Sequence, residues 1–280
     1  MLKNYTTFRI GGKAKYFFVA KTKSDLLLAI ELAKKKKLPI FLLGGGSNVL
    51  IPERGFRGIV IKIQNSKFGI KNSEIYSEAG VSLGQLVNAA TDTGLIGLEW
   101  ATGIPGTLGG AIYGNAGWPN NRKNISSIVE SVEVLEIRPE FRIKEYKLKD
   151  CKFGYRDSIF KHRPGLVVLS AKLKLKKGNK NKIRKEISNI LEKRREKIPF
   201  GFSAGSVFKN PKGHFAAKLI EGCGLKGKII GGAKISEKHA NFIVNFKGAK
   251  EKDVIKLIIL AKKEVKKKFK VNLEEEIIVF

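Results

Sequence analysis

The chain has 280 residues, of which 55 are Lys or Arg and 25 are Asp or Glu, for a formal net charge of +30. With 42% apolar residues, 30 Gly and only 8 Pro, it is neither collagen-like nor disordered by composition, and no stretch approaches the ~18 apolar residues of a spanning helix. Cys151 and Cys223 are far apart and lack metal-ligand spacing, so a reduced, cytoplasmic protein without membrane insertion is expected.

In chain order, Tyr16–Ala20 reads as a strand. A helix follows, with Ser24 as its cap, Asp25 in the first turn, apolar Leu27, Ile30 and Ala33, and lysines before Pro39. Pro39–Leu43 is a short apolar strand that runs into Gly44-Gly45-Gly46-Ser47-Asn48. Strands are expected near Ile59–Ile63 and Ile75–Ala79, then a helix over Leu83–Thr93 and a glycine-rich segment from Gly103 to Gly117. Ile128–Ile137 and Phe141–Leu148 read as a hairpin, and Leu166–Leu175 alternates as a half-buried strand. The polar run KKGNKNK, Lys176–Lys182, reads as a linker or exposed turn. Behind it come a helix over Ile183–Lys197, strands at Ser206–Phe208, Asn241–Phe246 and Glu276–Phe280, and helices at Phe215–Glu221 and Lys250–Phe269. The expected fold class is α+β, a larger N-terminal unit followed by a smaller C-terminal one.

Two glycine segments carry the first functional signal. In LLGGGSNVLI, three glycines permit positive φ and bring backbone N–H groups close to an anion, and Ser47 and Asn48 add side-chain donors. No Gly-Lys-Ser/Thr follows, so it is not a Walker A loop; Val49 takes the third glycine position of a Rossmann fingerprint, which also fails. A plain tight turn is the competing reading. The second segment, TGIPGTLGGAIYGNAG, holds six glycines in sixteen residues and offers a surface without bulky side chains, on which a flat ring can lie. A close-packed buried helix competes there. Together the two argue for a dinucleotide cofactor.

Three further pieces carry polar groups. FGYRDSIFK sets Arg156 among aromatic and apolar residues, with an ion pair to Asp157 or a glutamate as the structural alternative. SAGSVFKNP presents Ser206, Lys209 and Asn210, and LEEEIIVF puts Glu274 and Glu276 on one strand face and Glu275 on the other. Gly201-Phe202-Ser203-Ala204-Gly205 matches a nucleophile elbow, but Pro199 precedes it and strand-like GSVF follows, so a hydrolase is not expected. His162, His214 and His239 form no metal-ligand spacing, and no metal is expected. The net charge first suggests nucleic acid. It is built from 44 Lys against 11 Arg, however, whereas readers of phosphate and base edges lean on arginine. A lysine-rich polyanion- or nucleic-acid-binding protein without catalysis stands as the alternative function.

Six segments in order, NYTTFRIGGKA, LGGGSNVLI, TGIPGTLGGAIYGNAG, FGYRDSIFK, SAGSVFKNP and HANFIVN, resemble the UDP-N-acetylenolpyruvoylglucosamine reductase family. The likeness runs from Asn4 to about Ile277. It implies an FAD-binding domain of the vanillyl-alcohol-oxidase (PCMH) type at residues 1–176, in two subdomains of about 1–65 and 66–176. A smaller α+β substrate domain at 177–280 would follow, its last strand returning toward the active site. Its implied chemistry is NADPH-dependent, FAD-mediated reduction of the enolpyruvyl group of UDP-N-acetylglucosamine-enolpyruvate to UDP-N-acetylmuramate. By motif, Arg156, Ser206 and Glu276 match the catalytic trio, and Lys209, Asn210 and Asn241 are expected at the substrate. Cofactor contacts are expected from Gly44, Gly45, Gly46, Ser47, Asn48, Gly103, Ile104, Pro105, Gly106, Gly109, Gly110, Ala111, Asn115 and Gly117. The partners implied are the UDP-sugar substrate and NADPH, with no nucleic acid, and a monomer is expected. The short passage from Lys197 to Ser203 places the chain with the compact subtype that lacks a tyrosine-bearing loop. Two departures stand out: Gly117-Trp118-Pro119-Asn120 after Asn-Ala-Gly, and Ile278 where arginine is usual.

Overall fold

The structure is a computed structural model that describes residues 1–118, 123–138 and 141–279. The first layer is built from β1 (Ala14–Ala20), α1 (Lys23–Lys35), β2 (Ile40–Leu43), β3 (Val49–Leu50) and β4 (Phe56–Ile63). Strands β1, β4 and β2 form a parallel sheet in that order. Helix α1 starts two residues earlier than the sequence suggests. Thr22, not Ser24, is the cap: its hydroxyl accepts from Asp25 N at 3.0 Å, and the Asp25 carboxylate accepts from Thr22 N at 2.9 Å. That phase buries Leu26, Ala29, Ile30 and Ala33 on one face and leaves Leu27 at the margin.

The second layer runs through β5 (Phe68–Lys71), β6 (Glu74–Glu78), α2 (Leu83–Asp92), β7 (Leu95–Ile96), α3 (Leu108–Gly114), β8 (Val129–Glu136), β9 (Arg142–Lys147), α4 (Ile159–His162), β10 (Leu166–Lys174), β11 (Lys176–Lys177) and α5 (Lys180–Lys197). A five-stranded antiparallel sheet in the order β5-β6-β10-β8-β9 carries it, and the expected hairpin is the β8–β9 pair. One continuous core joins this layer to α1 and β4.

The run Lys176–Lys182 is not a linker. Lys176 and Lys177 pair antiparallel with Ile96 and Leu95, and Asn179 caps α5 by accepting from Asn181 N and Lys182 N at 2.9 and 3.2 Å. Ile183 is buried and Ile187 packs on the N-terminal core, so α5 belongs with the first 176 residues. The junction expected at residue 177 therefore moves to the end of α5. The run is polar because it forms a sheet edge and a helix cap that face water, both of which are ordered by backbone bonds rather than apolar burial.

The last layer contains β12 (Phe202–Ser206), α6 (Ala216–Gly222), β13 (Ile229–Ile230), β14 (Ala233–Ile235), β15 (Phe242–Asn245), α7 (Glu251–Phe269) and β16 (Ile278–Val279). Its antiparallel sheet runs β12-β15-β14-β13. Strand β12 ends at Ser206 instead of beginning there, and Ser203 lies inside it, which removes the nucleophile elbow. Glu274–Glu276 lie in irregular chain before β16, which pairs parallel with β3 (Ile278 with Val49, Val279 with Leu50). Phe280 of the expected terminal strand, and Pro119 and Asn120, lie outside the described residues. The core of this layer includes Phe8, Ile10 and Leu50 from the N-terminal part. Thr7 Oγ1 donates to Ser203 O at 2.7 Å, and Asn245 Nδ2 donates to Phe8 O at 3.1 Å. Among the described residues no helix is long and apolar enough to cross a membrane, and no cluster of His, Cys, Asp or Glu is grouped to hold a metal.

Candidate active site

The two glycine segments meet backbone to backbone. A Cβ added to Gly45 would lie 2.6 Å from Gly106 Cα, and one on Gly44 would lie 2.6 Å from Thr107 Oγ1. No side chain fits between them. Gly46 has φ +66 and packs against Tyr5 O, while Gly103 and Gly106 adopt φ +72 and +141. Ser47 Oγ donates to Pro105 O at 2.8 Å, and Asn48 Nδ2 donates to Glu276 O at 3.1 Å. Both side chains expected as anion donors are thus engaged with protein carbonyls, and what the first loop offers an anion is its glycine backbone. Sequence reasoning missed Lys62, whose ammonium donates to Gly44 O and whose pKa burial pulls down. Only its pairing next to Leu43 across β4 and β2 reveals it.

Helix α3 has two faces. Gly109 packs on Ala79, where an added Cβ would come within 2.9 Å, and Ala111 is in the core. These two expected cofactor residues therefore serve packing. On the other face, a Cβ at Gly110 would meet nothing closer than Thr107 Oγ1 at 3.6 Å, and at Gly114 nothing within 4 Å. Asn115 is also reassigned. It is 4% exposed, its Nδ2 donates to Gly154 O at 2.7 Å, and its Oδ1 accepts from Ser126 N at 3.3 Å. It fixes the YRDS loop against the second glycine segment, with both its amide nitrogen and its amide oxygen engaged within the protein.

Arg156 is at the centre of the polar cluster. Its φ is +54, a left-handed conformation costing about 1–3 kcal/mol for a non-glycine residue. Its Nη2 donates to Gly117 O at 2.7 Å and its Nη1 to Asn115 O at 3.5 Å. Nε lies 2.9 Å from Glu276 Oε1, with the two side chains only 14% and 19% exposed. Asp157, the alternative partner, is instead paired with His162 at 2.9 Å. Lys161, in the same motif but not singled out from sequence, donates to Arg156 O at 2.7 Å and thereby braces the strained residue. Burial pushes the Glu276 carboxyl above its ordinary range, with Arg156, Lys161 and Lys209 pulling the other way. Burial lowers the Lys161 ammonium, and nearby Lys209 adds to the effect.

The remaining polar residues come from the last layer. Val207, directly after Ser206, accepts Glu276 N at 2.8 Å, so Ser206 and Glu276 stand on adjoining backbone segments. Lys209 Nζ lies 2.5 Å from Glu274 Oε1, and Asn210 Oδ1 accepts from Ala216 N at 3.0 Å. Asn241, expected at the substrate, is 4% exposed and turns its amide inward. Its Oδ1 accepts from Phe208 N at 2.9 Å and its Nδ2 donates to Phe208 O at 2.8 Å. It stabilises the chain between Ser206 and Lys209, because a bulged strand needs partners for its backbone groups.

The residues present fit a flavin dinucleotide. Close-set glycine backbone suits a diphosphate, the face of α3 at Gly110 and Gly114 suits a flat ring, and a buried guanidinium–carboxylate pair stands beside both. Comparison with known proteins agrees. Residues 14–138 match the family model "FAD binding domain", and residues 197–280 match "UDP-N-acetylenolpyruvoylglucosamine reductase, C-terminal domain". A relative from Caldanaerobacter subterraneus subsp. tengcongensis bearing the latter enzyme name is 42% identical, covering 99% of this chain and 90% of the relative. One from Caldicellulosiruptor bescii with the same name is 43% identical, covering 99% and 88%. The solved UDP-N-acetylenolpyruvylglucosamine reductase of Thermus caldophilus superposes with a TM-score of 0.85 at 35% identity, over 100% of this chain and 97% of that one.

Proposed function

The chain belongs to the UDP-N-acetylenolpyruvoylglucosamine reductases, FAD-dependent oxidoreductases of peptidoglycan precursor synthesis, and on that premise we propose how its residues share the reaction. The observation that carries the proposal is the largely buried Arg156–Glu276 pair, set between the glycine segments and the strand that ends at Ser206. When bound, FAD reduced by NADPH supplies a hydride to the β-carbon of the enolpyruvyl group of UDP-N-acetylglucosamine-enolpyruvate.

Negative charge then develops on the substrate carboxylate. The Arg156 guanidinium, held by Gly117 O and braced by Lys161, is aimed to stabilise that charge in a low-dielectric site. Ser206 gives its hydroxyl proton to the α-carbon, completing addition of one hydride and one proton across the double bond. A serine hydroxyl is a weak acid, so the adjoining Glu276, kept protonated to higher pH by burial, passes a proton toward it. Lys209 and Asn210 lie near enough to this segment to take the UDP-sugar end of the substrate. A cytoplasmic monomer is the setting proposed for this activity.

Ser206→Ala tests the assignment. Stopped-flow absorbance is expected to show flavin reduction by NADPH near normal and flavin reoxidation by substrate slowed about a hundredfold or more. Unchanged reoxidation removes Ser206 from the mechanism.

A further inference from the structure

Contacts around the site close into a ring. Gly45 lies on Gly106, Ser47 bonds Pro105, Asn48 bonds Glu276, Glu276 pairs with Arg156, and Arg156 bonds the carbonyl of Gly117. Trp118 follows Gly117, and the guanidinium carbon of Arg194 on α5 stands 4.6 Å from its ring centroid. Arg194 then returns the ring to the second glycine segment, since a Cβ on Gly103 would lie 3.1 Å from Arg194 Cδ and 3.7 Å from its Nε.

Arg194 differs from Arg156, the other cation of the ring, which is matched by the Glu276 carboxylate. Among the described residues the Arg194 guanidinium has no carboxylate partner, and its buried Nε has no acceptor. Burial lowers its pKa to about 10, which still leaves it charged at neutral pH. A half-buried cation without counter-charge is unfavourable. The indole face offsets part of that, and an anion inside the ring would offset the rest. A planar guanidinium locked on an aromatic face is pre-organised to give paired hydrogen bonds to such a group.

We propose that Arg194 is a cationic ligand of the flavin dinucleotide, held in place by stacking on Trp118 and admitted to the second glycine segment by the missing side chain of Gly103. The proposal rests on the flavin reading of the ring. Its partner is an anionic part of FAD, either the diphosphate, charged in both redox states, or the ring system, which carries negative charge only when reduced.

The test is Arg194→Met, with FAD affinity measured on the apoprotein by fluorescence titration and the flavin midpoint potential measured on the holoprotein. Contact with the diphosphate is expected to raise the FAD dissociation constant about tenfold or more. Contact at the ring is expected to weaken the reduced form more than the oxidised form, lowering the potential by about 30 mV for each tenfold difference. Arg194→Lys is expected to restore part of either effect, and Trp118→Leu to reproduce it more weakly. If Arg194→Met does not fold, the affinities and potentials of Arg194→Lys and Trp118→Leu decide the matter, and wild-type values in both overturn the proposal. It is equally overturned if Arg194→Met keeps wild-type affinity and potential, including the case where only the KM for NADPH or substrate rises. A wild-type chain that takes up no FAD would instead overturn the flavin reading itself.

Discussion

Arg156 combines three features that are seldom found together: a left-handed backbone, a guanidinium largely removed from water, and a carboxylate partner from a distant part of the chain. The strain is sustained because Gly117, Asn115, Lys161 and Glu276 all hold the residue in place. Glu276 supplies a pH signature. Its pKa is raised by burial, so it keeps its proton to higher pH than a free glutamate. If it feeds a proton to Ser206, substrate-driven flavin reoxidation should fall as pH rises through that pKa. Glu276→Gln should remove this limb and slow the step about a hundredfold at low pH; a Gln variant with the wild-type profile would exclude the role. By the same linkage, the neutral carboxyl favours the folded state at low pH, a contribution lost as pH rises through the folded pKa.

At the scale of elements, loops and a helix face assemble the site. The glycine turn after β2 contacts the segment before α3 so closely that Gly45 and Gly106 touch through their backbones. Gly45→Ala should therefore push the two loops apart and weaken FAD binding about tenfold or more, while circular dichroism shows the fold retained. Gly69→Ala, where an added Cβ meets nothing within 4 Å, is the matched control and should leave FAD affinity unchanged. An unaffected Gly45 variant would show that close approach of the loops is irrelevant to the cofactor. Asn115 and Asn241 belong to this scale too, because each uses its amide to fix a loop that carries a reactive residue.

For the whole molecule, the charge of +30 loses its first meaning. Family membership assigns a small-molecule redox reaction in place of the polyanion-binding alternative. The layers are also interdependent. Phe8, Ile10 and Leu50 are fully or nearly buried in the core of the last layer, and β16 pairs back with β3. Removing three such side chains forfeits about 1.5–3 kcal/mol each, comparable in sum with the stability of a small domain. Residues 198–280 expressed alone should show no cooperative thermal transition by calorimetry, and a sharp transition would contradict the shared core.

Much of this protein is determined locally. Hydrophobic periodicity located the longer strands and helices, as in Leu166–Leu175 against the observed β10, but not the short strands β5, β7, β13 and β14. The glycine segments and FGYRDSIFK, SAGSVFKNP and LEEEIIVF marked where chemistry would lie, because a close backbone approach or a buried charge leaves a trace in the residue types themselves. Tertiary structure decided which of those residues are tied up within the protein. Ser47, Asn48, Asn115 and Asn241 look like donors in sequence but are bonded to protein backbone, and Gly109 and Ala111 pack inward while Gly110 faces out. It also packed α5 and its Arg194 against the second glycine segment, and selected Glu276 over Asp157 for Arg156. The physical reason is that residue type sets what a side chain can bond, whereas competition among all its neighbours, most of them remote in sequence, sets what it does bond.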